Sequence, residues 1–303
     1  MGNTMDRKIL PNSRRAGVAL MIASAVMFSS AGLFAKGVTA GAWDVIFWRG
    51  VFSALLTTLF ITGRRALRRE FSGMGRAGLA AAVIGASGSV AFITAFKLTT
   101  VASVALIYAA APMLAALIAW LWLGERMTRP VALACLAAFA GVGLIVSGSL
   151  GGINIRGDLL ALWMTIVMAT YLVIYRRYPE TPSAGPMVLA SILVLPPALI
   201  YGTPFDNPLS EIVIMAGFGL VFALASVAMT EGAKRLPSAE TALLSTLETP
   251  LAPILAWLIL TEVPAALTVW GGILIIAGII GSQLAQSARH SDTEVARCRQ
   301  PSA

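Results

Sequence analysis

The chain has 303 residues, 58% hydrophobic and only 12% charged, with a mean hydropathy of +0.84 and a formal net charge of +8. A soluble domain carries roughly 25% charged residues, so the composition excludes an ordinary water-soluble enzyme or binding module and points to an all-α integral membrane protein. The cysteines Cys135 and Cys298 and the single histidine, His290, are too few and too scattered for a Cys/His metal site, and no metal or other cofactor is expected.

A bilayer core needs about 20 apolar residues per helix. By that ruler the chain divides into ten transmembrane helices, spans 1 to 10: 16–35, 43–62, 77–96, 101–123, 130–149, 158–176, 184–202, 211–230, 238–260 and 266–286. Polar tails, 1–15 and 287–303, flank them. Arg7, Lys8, Arg14 and Arg15 precede the first run, and Ala23-Ser24-Ala25 resembles a signal-peptide cleavage site. The apolar run continues past that site, which favours a retained first helix.

Counted along these spans, eighteen Lys and Arg residues fall on the side of the N-terminus, against Lys36, Lys97 and Arg156 on the other. The positive-inside rule then places both termini in the cytoplasm. Because the basic residues lie between apolar runs, the net charge needs no nucleic-acid partner; the expected partners are membrane lipid and a small-molecule substrate.

Span 4, ASVALIYAAAPMLAALIAWLWLGE from Ala102 to Glu125, has a second version in span 9, AETALLSTLETPLAPILAWLILTE from Ala239 to Glu262. Pro112 and Pro250 are 138 residues apart, Trp120 and Trp257 137, and Glu125 and Glu262 137. Gly141 and Gly278 repeat the interval of 137, and the start of span 6 at Gly157 aligns loosely with span 1 at Gly17. The halves 16–149 and 158–286 are therefore repeats of five helices each. Five is odd, so the two halves cross the membrane in opposite directions, an inverted repeat suited to alternating access. Because both halves lie in one chain, a monomer suffices; a dimer is the alternative.

The patterns Pro112…Leu123-Gly124-Glu125-Arg126 and Leu247-Glu248-Thr249-Pro250…Thr261-Glu262, with Trp48-Arg49 in span 2 and Gly141 in span 5, resemble EamA-type units of the drug/metabolite transporter superfamily. The resemblance covers nearly the whole chain between the tails and is closest to bacterial amino-acid and metabolite exporters, the aromatic amino-acid exporters included. The second half departs from the first in having Thr261 for Gly124 and no basic residue after Glu262. The resemblance implies a cavity lined by spans 1, 3, 4, 6, 8 and 9, with spans 5 and 10 at the periphery.

A helical proline frees the carbonyl four residues earlier: that of Tyr108 by Pro112, of Thr246 by Pro250, and of Thr249 by Pro253. These carbonyls are either acceptors for a substrate ammonium or parts of packing kinks satisfied by a neighbouring hydroxyl. Pro112 and Pro250 are the expected hinges. Thr241, Ser245, Glu248 and Ala252 share one face of span 9. Glu248, an acid deep in a span, reads as a proton carrier, as the partner of a cation, or as a structural or gating residue. Arg49 reaches the interface by snorkelling, pairs with Asp44, or binds a substrate carboxylate. Met27, Phe28 and the polar Ser29-Ser30 in span 1, Ser87, Ser89 and Phe92 in span 3, and Trp163 and Tyr171 in span 6 complete the expected substrate lining, each with ordinary packing or the interfacial aromatic belt as the rival account.

No Lys lies deep in a span, which argues against phosphate-bearing substrates, and span 1 lacks the acid used by small multidrug exporters. Gly85-Ala86-Ser87-Gly88 has the form of an intramembrane serine-protease motif, but its histidine base is missing from the spans. The expected function is therefore not enzymatic: export of amino acids or similar small neutral or zwitterionic metabolites. Passive facilitation and drug export are the alternatives.

Overall fold

The computed structural model describes residues 11–124, 127, 129–148, 154–233, 235–236, 244–245 and 247–281; among these residues there is no β-strand. The helices are α1 (Pro11–Ser29), α2 (Ala31–Lys36), α3 (Ala42–Gly63), α4 (Leu67–Ser72), α5 (Gly75–Leu98), α6 (Val101–Tyr108), α7 (Ala111–Leu123), α8 (Arg129–Gly148), α9 (Ile155–Arg177), α10 (Ala184–Leu193), α11 (Leu195–Tyr201) and α12 (Leu209–Ala233). They are followed by α13 (Glu248–Leu260) and α14 (Ala266–Gly281). Long helices follow from the composition, because in hydrocarbon each backbone polar group must be paired within its own segment.

Among the described residues, eight segments are long and apolar enough to cross a bilayer: Arg14–Lys36, Ala42–Gly63, Gly75–Leu98, Val101–Leu123, Arg129–Gly148, Ile155–Arg177, Ala184–Tyr201 and Leu209–Ala233. They match spans 1 to 8. Of spans 9 and 10 the described residues contain the shorter apolar helices α13 and α14. Residues 238–243 and 246 of span 9 and 282–286 of span 10 lie outside the described set.

The helices form two compact units, and neither follows a sequence repeat. Unit 1 is Met1–Gly73 with Pro182–Glu262; unit 2 is Met74–Thr181 with Val263–Ala303. Unit 1 thus joins spans 1 and 2 to spans 7, 8 and 9, whereas unit 2 joins spans 3, 4 and 5 to spans 6 and 10.

In unit 1, α1 packs on α12 and α13, and α3 packs on α12, α10 and α11. Carboxylates tie its chain turns. Glu211 accepts from the Thr39 amide and hydroxyl and from the Ala40 amide (3.1, 2.5 and 2.8 Å), and Asp44 accepts from the Thr203 amide at 2.8 Å. At the other end of α3, Arg64 donates to Glu231 at 2.6 Å, and Glu231 also receives Arg235 at 3.0 Å.

In unit 2, α9 packs against α5, α6, α7 and α8. Its first turn holds Asp158, fully buried, which accepts a 2.6 Å hydrogen bond from the Thr99 hydroxyl. Thr100 caps α6, its side chain accepting from the Ser103 amide at 3.0 Å. Helices α8 and α14 touch backbone to backbone: a Cβ placed on Gly141 would lie 2.5 Å from the Gly271 carbonyl oxygen, and one on Gly271 2.5 Å from that of Gly141. Small residues allow such a crossing in lipid, where association relies on close packing.

One contact is made once in each unit. Gly17 of α1 abuts Arg235 and Leu236 just after α12, and Gly157 of α9 abuts Leu98 and Thr99 at the end of α5. Residues 98–99 and 235–236 are again 137 apart, so the loose alignment of Gly17 with Gly157 corresponds to a repeated packing geometry.

Candidate functional site

Span 4 is not one continuous helix. Helix α6 stops at Tyr108 and α7 starts at Ala111, across a turn in which the Ala110 amide bonds the Ile107 carbonyl (3.1 Å) and the Leu114 amide bonds that of Ala110 (3.0 Å). Span 9 breaks in the same way: Leu247 amide to Leu244 carbonyl at 3.2 Å, and Leu251 amide to Leu247 carbonyl at 3.3 Å. Every partner is displaced by 137 residues. The prolines do not kink a continuous helix. Pro112 is the second residue of α7 and Pro250 the third of α13, in a first turn whose amides have no helical acceptor anyway. A proline ring clashes with the carbonyl four residues back, and in both spans the chain avoids that clash by ending one helix and starting another. Pro253 alone lies inside its helix.

In unit 1 the break of span 9 meets a kink in span 1. The Ser30 amide is shared between the carbonyls of Val26 and Met27, both at 3.2 Å, and the Ser30 hydroxyl bonds Met27 at 2.6 Å. Such back-bonding bends helices. The neighbouring Ser29 hydroxyl donates to Ala25 at 2.6 Å and to the carbonyl of Glu248, the first residue of α13, at 3.2 Å. Met27, Phe28, Ser245 and Glu248 are all half-buried around this junction's helices. Thr241 and Thr246 lie outside the described residues.

Phe28 leads from the kink to a buried cation. It meets Phe222 edge-on, with centroids 5.4 Å apart, and the Arg49 guanidinium lies 4.8 Å from the Phe222 ring centre and 5.8 Å from that of Phe218. Phe34 stacks on Phe218. Arg49 is only 6% exposed. It does not snorkel, and Asp44 is engaged with Thr203 instead. Two aromatic faces, which attract a cation electrostatically, lie beside it inside unit 1.

Ser87, Phe92, Tyr108, Trp163 and Tyr171 all belong to unit 2. The Ser87 hydroxyl turns back onto the Ile84 carbonyl at 2.7 Å. Phe92 packs on Phe96 and Tyr171 on Tyr175, with centroids 4.9 and 4.6 Å apart, while Trp163 is 50% exposed. A small cleft by the α6–α7 turn is lined by Ala110, Met113, Leu114, Ala138, Phe139, Val142 and Leu162. It has no polar side chain to orient a zwitterion.

Sequence reasoning missed the partnership of Ser29 with Glu248 and the ion pair of Lys36 with Glu262, 2.6 Å. The second was accessible in principle. The loops after spans 1 and 9 fall on the same side of the expected topology, and Lys36 is one of its few cations.

The EamA-like transporter family pattern matches twice, over residues 15–147 and 155–283. The chain belongs to the EamA-like transporter family. A comparison with curated proteins gives no match. A protein of solved crystal structure superposes with a TM-score of 0.61 at 17% identity, covering 90% of this chain and 98% of its own, a likeness of fold alone. Membership of the family makes this a multi-pass membrane transporter of small molecules within the drug/metabolite transporter superfamily, a class of transporters rather than enzymes. Its two EamA repeats fit the inverted arrangement that an odd repeat length requires.

Proposed function

We propose that this EamA-like transporter is a ten-helix secondary carrier of the bacterial inner membrane, with both termini cytoplasmic, that exports amino acids or similar small neutral or zwitterionic metabolites by alternating access. Aromatic or apolar side chains are the expected preference. The observation that carries the mechanism is the repeated helix break: two turns with hydrogen bonds at equal offsets, each just before a proline, supply equivalent bending points in inverted halves. Met27, Phe28, Ser87, Phe92, Tyr108, Trp163, Tyr171, Thr241, Ser245 and Glu248 are the proposed substrate contacts, with hinges at Pro112 and Pro250. The polar break beside Phe28 supports this reading, because it offers hydrogen-bonding groups next to an aromatic surface.

Counterflow in proteoliposomes with labelled amino acids tests the proposal. Saturable uptake accelerated by substrate on the opposite face is the expected result. Flux that rises without saturation identifies a passive facilitator, and silence for every amino acid alongside exchange of another compound class overturns the substrate assignment.

A further inference from the structure

Helix α2 is a six-residue segment set off from α1 by the Ser29–Ser30 kink, and it ends at Lys36. Helix α13 is set off from the preceding chain by the Leu247 turn, and Thr261, in the left-handed region at φ 54°, ends it. That conformation folds the chain back, the amides of Thr261 and Glu262 both reaching the Ala256 carbonyl. The two segments pack on each other and are linked at both extremities. Near the bends the Ser29 hydroxyl holds the Glu248 carbonyl at 3.2 Å; at the far ends Lys36 Nζ meets Glu262 Oε1 at 2.6 Å. Both charged side chains are largely shielded, 24% and 17% exposed.

We propose that α2 and α13 are one arm of unit 1, latched by Lys36 and Glu262 and hinged at Ser29–Ser30 and Leu247, so that the two bends move together. The physical logic is that each bend alone is a weak point with few backbone constraints. Helix α2 is only six residues long, and its buried face is shared between α13 and α12, where Phe34 stacks on Phe218. The far-end ion pair converts two independent wobbles into one motion, and the Ser29–Glu248 bond fixes where the axes of that motion meet. Lys36 and Glu262 are positioning residues here, because neither is among the proposed substrate contacts. As a gating element the arm rests on the transport reading given above; as a mechanical unit it does not.

The latch is tested without any substrate by placing a reporter thiol under the arm. Ala35 of α2 is fully buried, so Ala35→Cys, in a background with Cys135→Ser and Cys298→Ser, reacts with a soluble maleimide only when the arm lifts. Lys36→Glu and Glu262→Lys, each alone, are expected to raise the labelling rate about fivefold, the size of effect a partly shielded ion pair supports. The exchanged pair Lys36→Glu/Glu262→Lys is expected to return it to the parent value. Unchanged labelling in the single variants overturns the latch, and so does a double variant that stays as reactive as the singles, since general loosening is not repaired by swapping charges. If the reversals fail to fold, Lys36→Met and Glu262→Gln give the same reading with less repulsion. In counterflow, the single variants are expected to lower turnover several-fold at unchanged half-saturation, with recovery in the swap. A parent that moves no amino acid overturns the substrate reading but leaves the labelling result standing.

Discussion

The breaks in spans 4 and 9 have the same backbone and opposite surroundings. In unit 2 the turn consists of Ala109 and Ala110 followed by Ala111, all buried, with Ala110 at 2% exposure. The residues displaced by 137 in unit 1 include Leu247, 37% exposed, and Glu248, with the Ser29 hydroxyl on its carbonyl. The helices beside them differ in the same sense. Span 1 kinks at Ser29–Ser30, whereas at Ala169 and Thr170, its counterparts by the 140-residue offset of Gly17 and Gly157, α9 runs unbroken. Duplication has preserved the hydrogen-bond pattern of the hinge while the side chains around it diverged. One hinge is sealed in alanine, and the other sets a buried hydroxyl and a half-buried acid beside a partly exposed leucine. A turn can be conserved by its backbone alone, and chemistry was then free to concentrate in one copy.

Transplanting the chemistry is the severest way to break this comparison. Ala111→Glu puts the acid of unit 1 at the equivalent site of unit 2, where the surroundings are tightly packed. An uncompensated buried carboxylate is expected to cost about 3 kcal/mol or more, read as a large fall in unfolding temperature of the detergent-solubilised protein. The reverse change, Glu248→Ala, is expected to leave that temperature within a few degrees. Equal losses from both would show that the two breaks are not differently packed after all.

The paired helices that each unit draws from both repeats offer a second contrast. At the α8–α14 crossing Gly271→Ala meets a carbonyl oxygen at 2.5 Å, which only a backbone shift can relieve, whereas Gly50→Ala on α3 meets the Ser191 carbonyl at 3.1 Å and movable side chains. Overpacking costs of about 2 kcal/mol and less than about 1 kcal/mol are expected, respectively. The crossing in unit 2 is also self-symmetric: Gly141 against Gly271 has its mirror in Gly278 against Ala134 and Ala137, since 134 and 271, like 141 and 278, differ by 137.

At the polar hinge, Glu248→Gln keeps shape and removes charge. Counterflow of a labelled amino acid is expected to fall about tenfold, the scale on which a charged hydrogen-bonding group exceeds a neutral one, while Ser87→Ala, whose hydroxyl is already turned to Ile84, is expected to leave it within twofold. Undiminished transport in Glu248→Gln would confine the acid to a structural role.

How much of this was legible beforehand depended on whether a feature lay along the chain or across it. The two prolines and their twin settings are local, so spacing alone revealed them, although as bends in continuous helices rather than as the breaks between two helices that form. The assembly of spans 1 and 2 with 7, 8 and 9 was not legible. Apolar residues cover every face of a membrane helix, and the periodicity that assigns neighbours in soluble proteins is lost. For the same reason Arg49 reads as a snorkelling cation: the rings of Phe218 and Phe222 that lie beside it are some 170 residues further along the chain. Ser29 with Glu248 and Lys36 with Glu262 are joined over comparable separations.

The smallest expected effect sharpens the comparison most, because it concerns a departure visible in the two repeats from the outset. Gly124 ends α7 at φ 68° and Thr261 ends α13 at φ 54°, each with its amide on the carbonyl five residues back, Ala119 and Ala256. Glycine adopts this left-handed conformation freely, but a β-branched residue there is strained, by about 1 kcal/mol or somewhat more. Thr261→Gly is therefore expected to raise stability by about 1 kcal/mol, and Gly124→Thr to lower it by a similar amount, both measured as shifts in unfolding temperature. If Thr261 is tolerated only because its neighbour Glu262 holds Lys36, the gain should come with a looser arm, seen as faster maleimide labelling of Ala35→Cys. Stabilisation with no change in labelling would separate the cap from the latch.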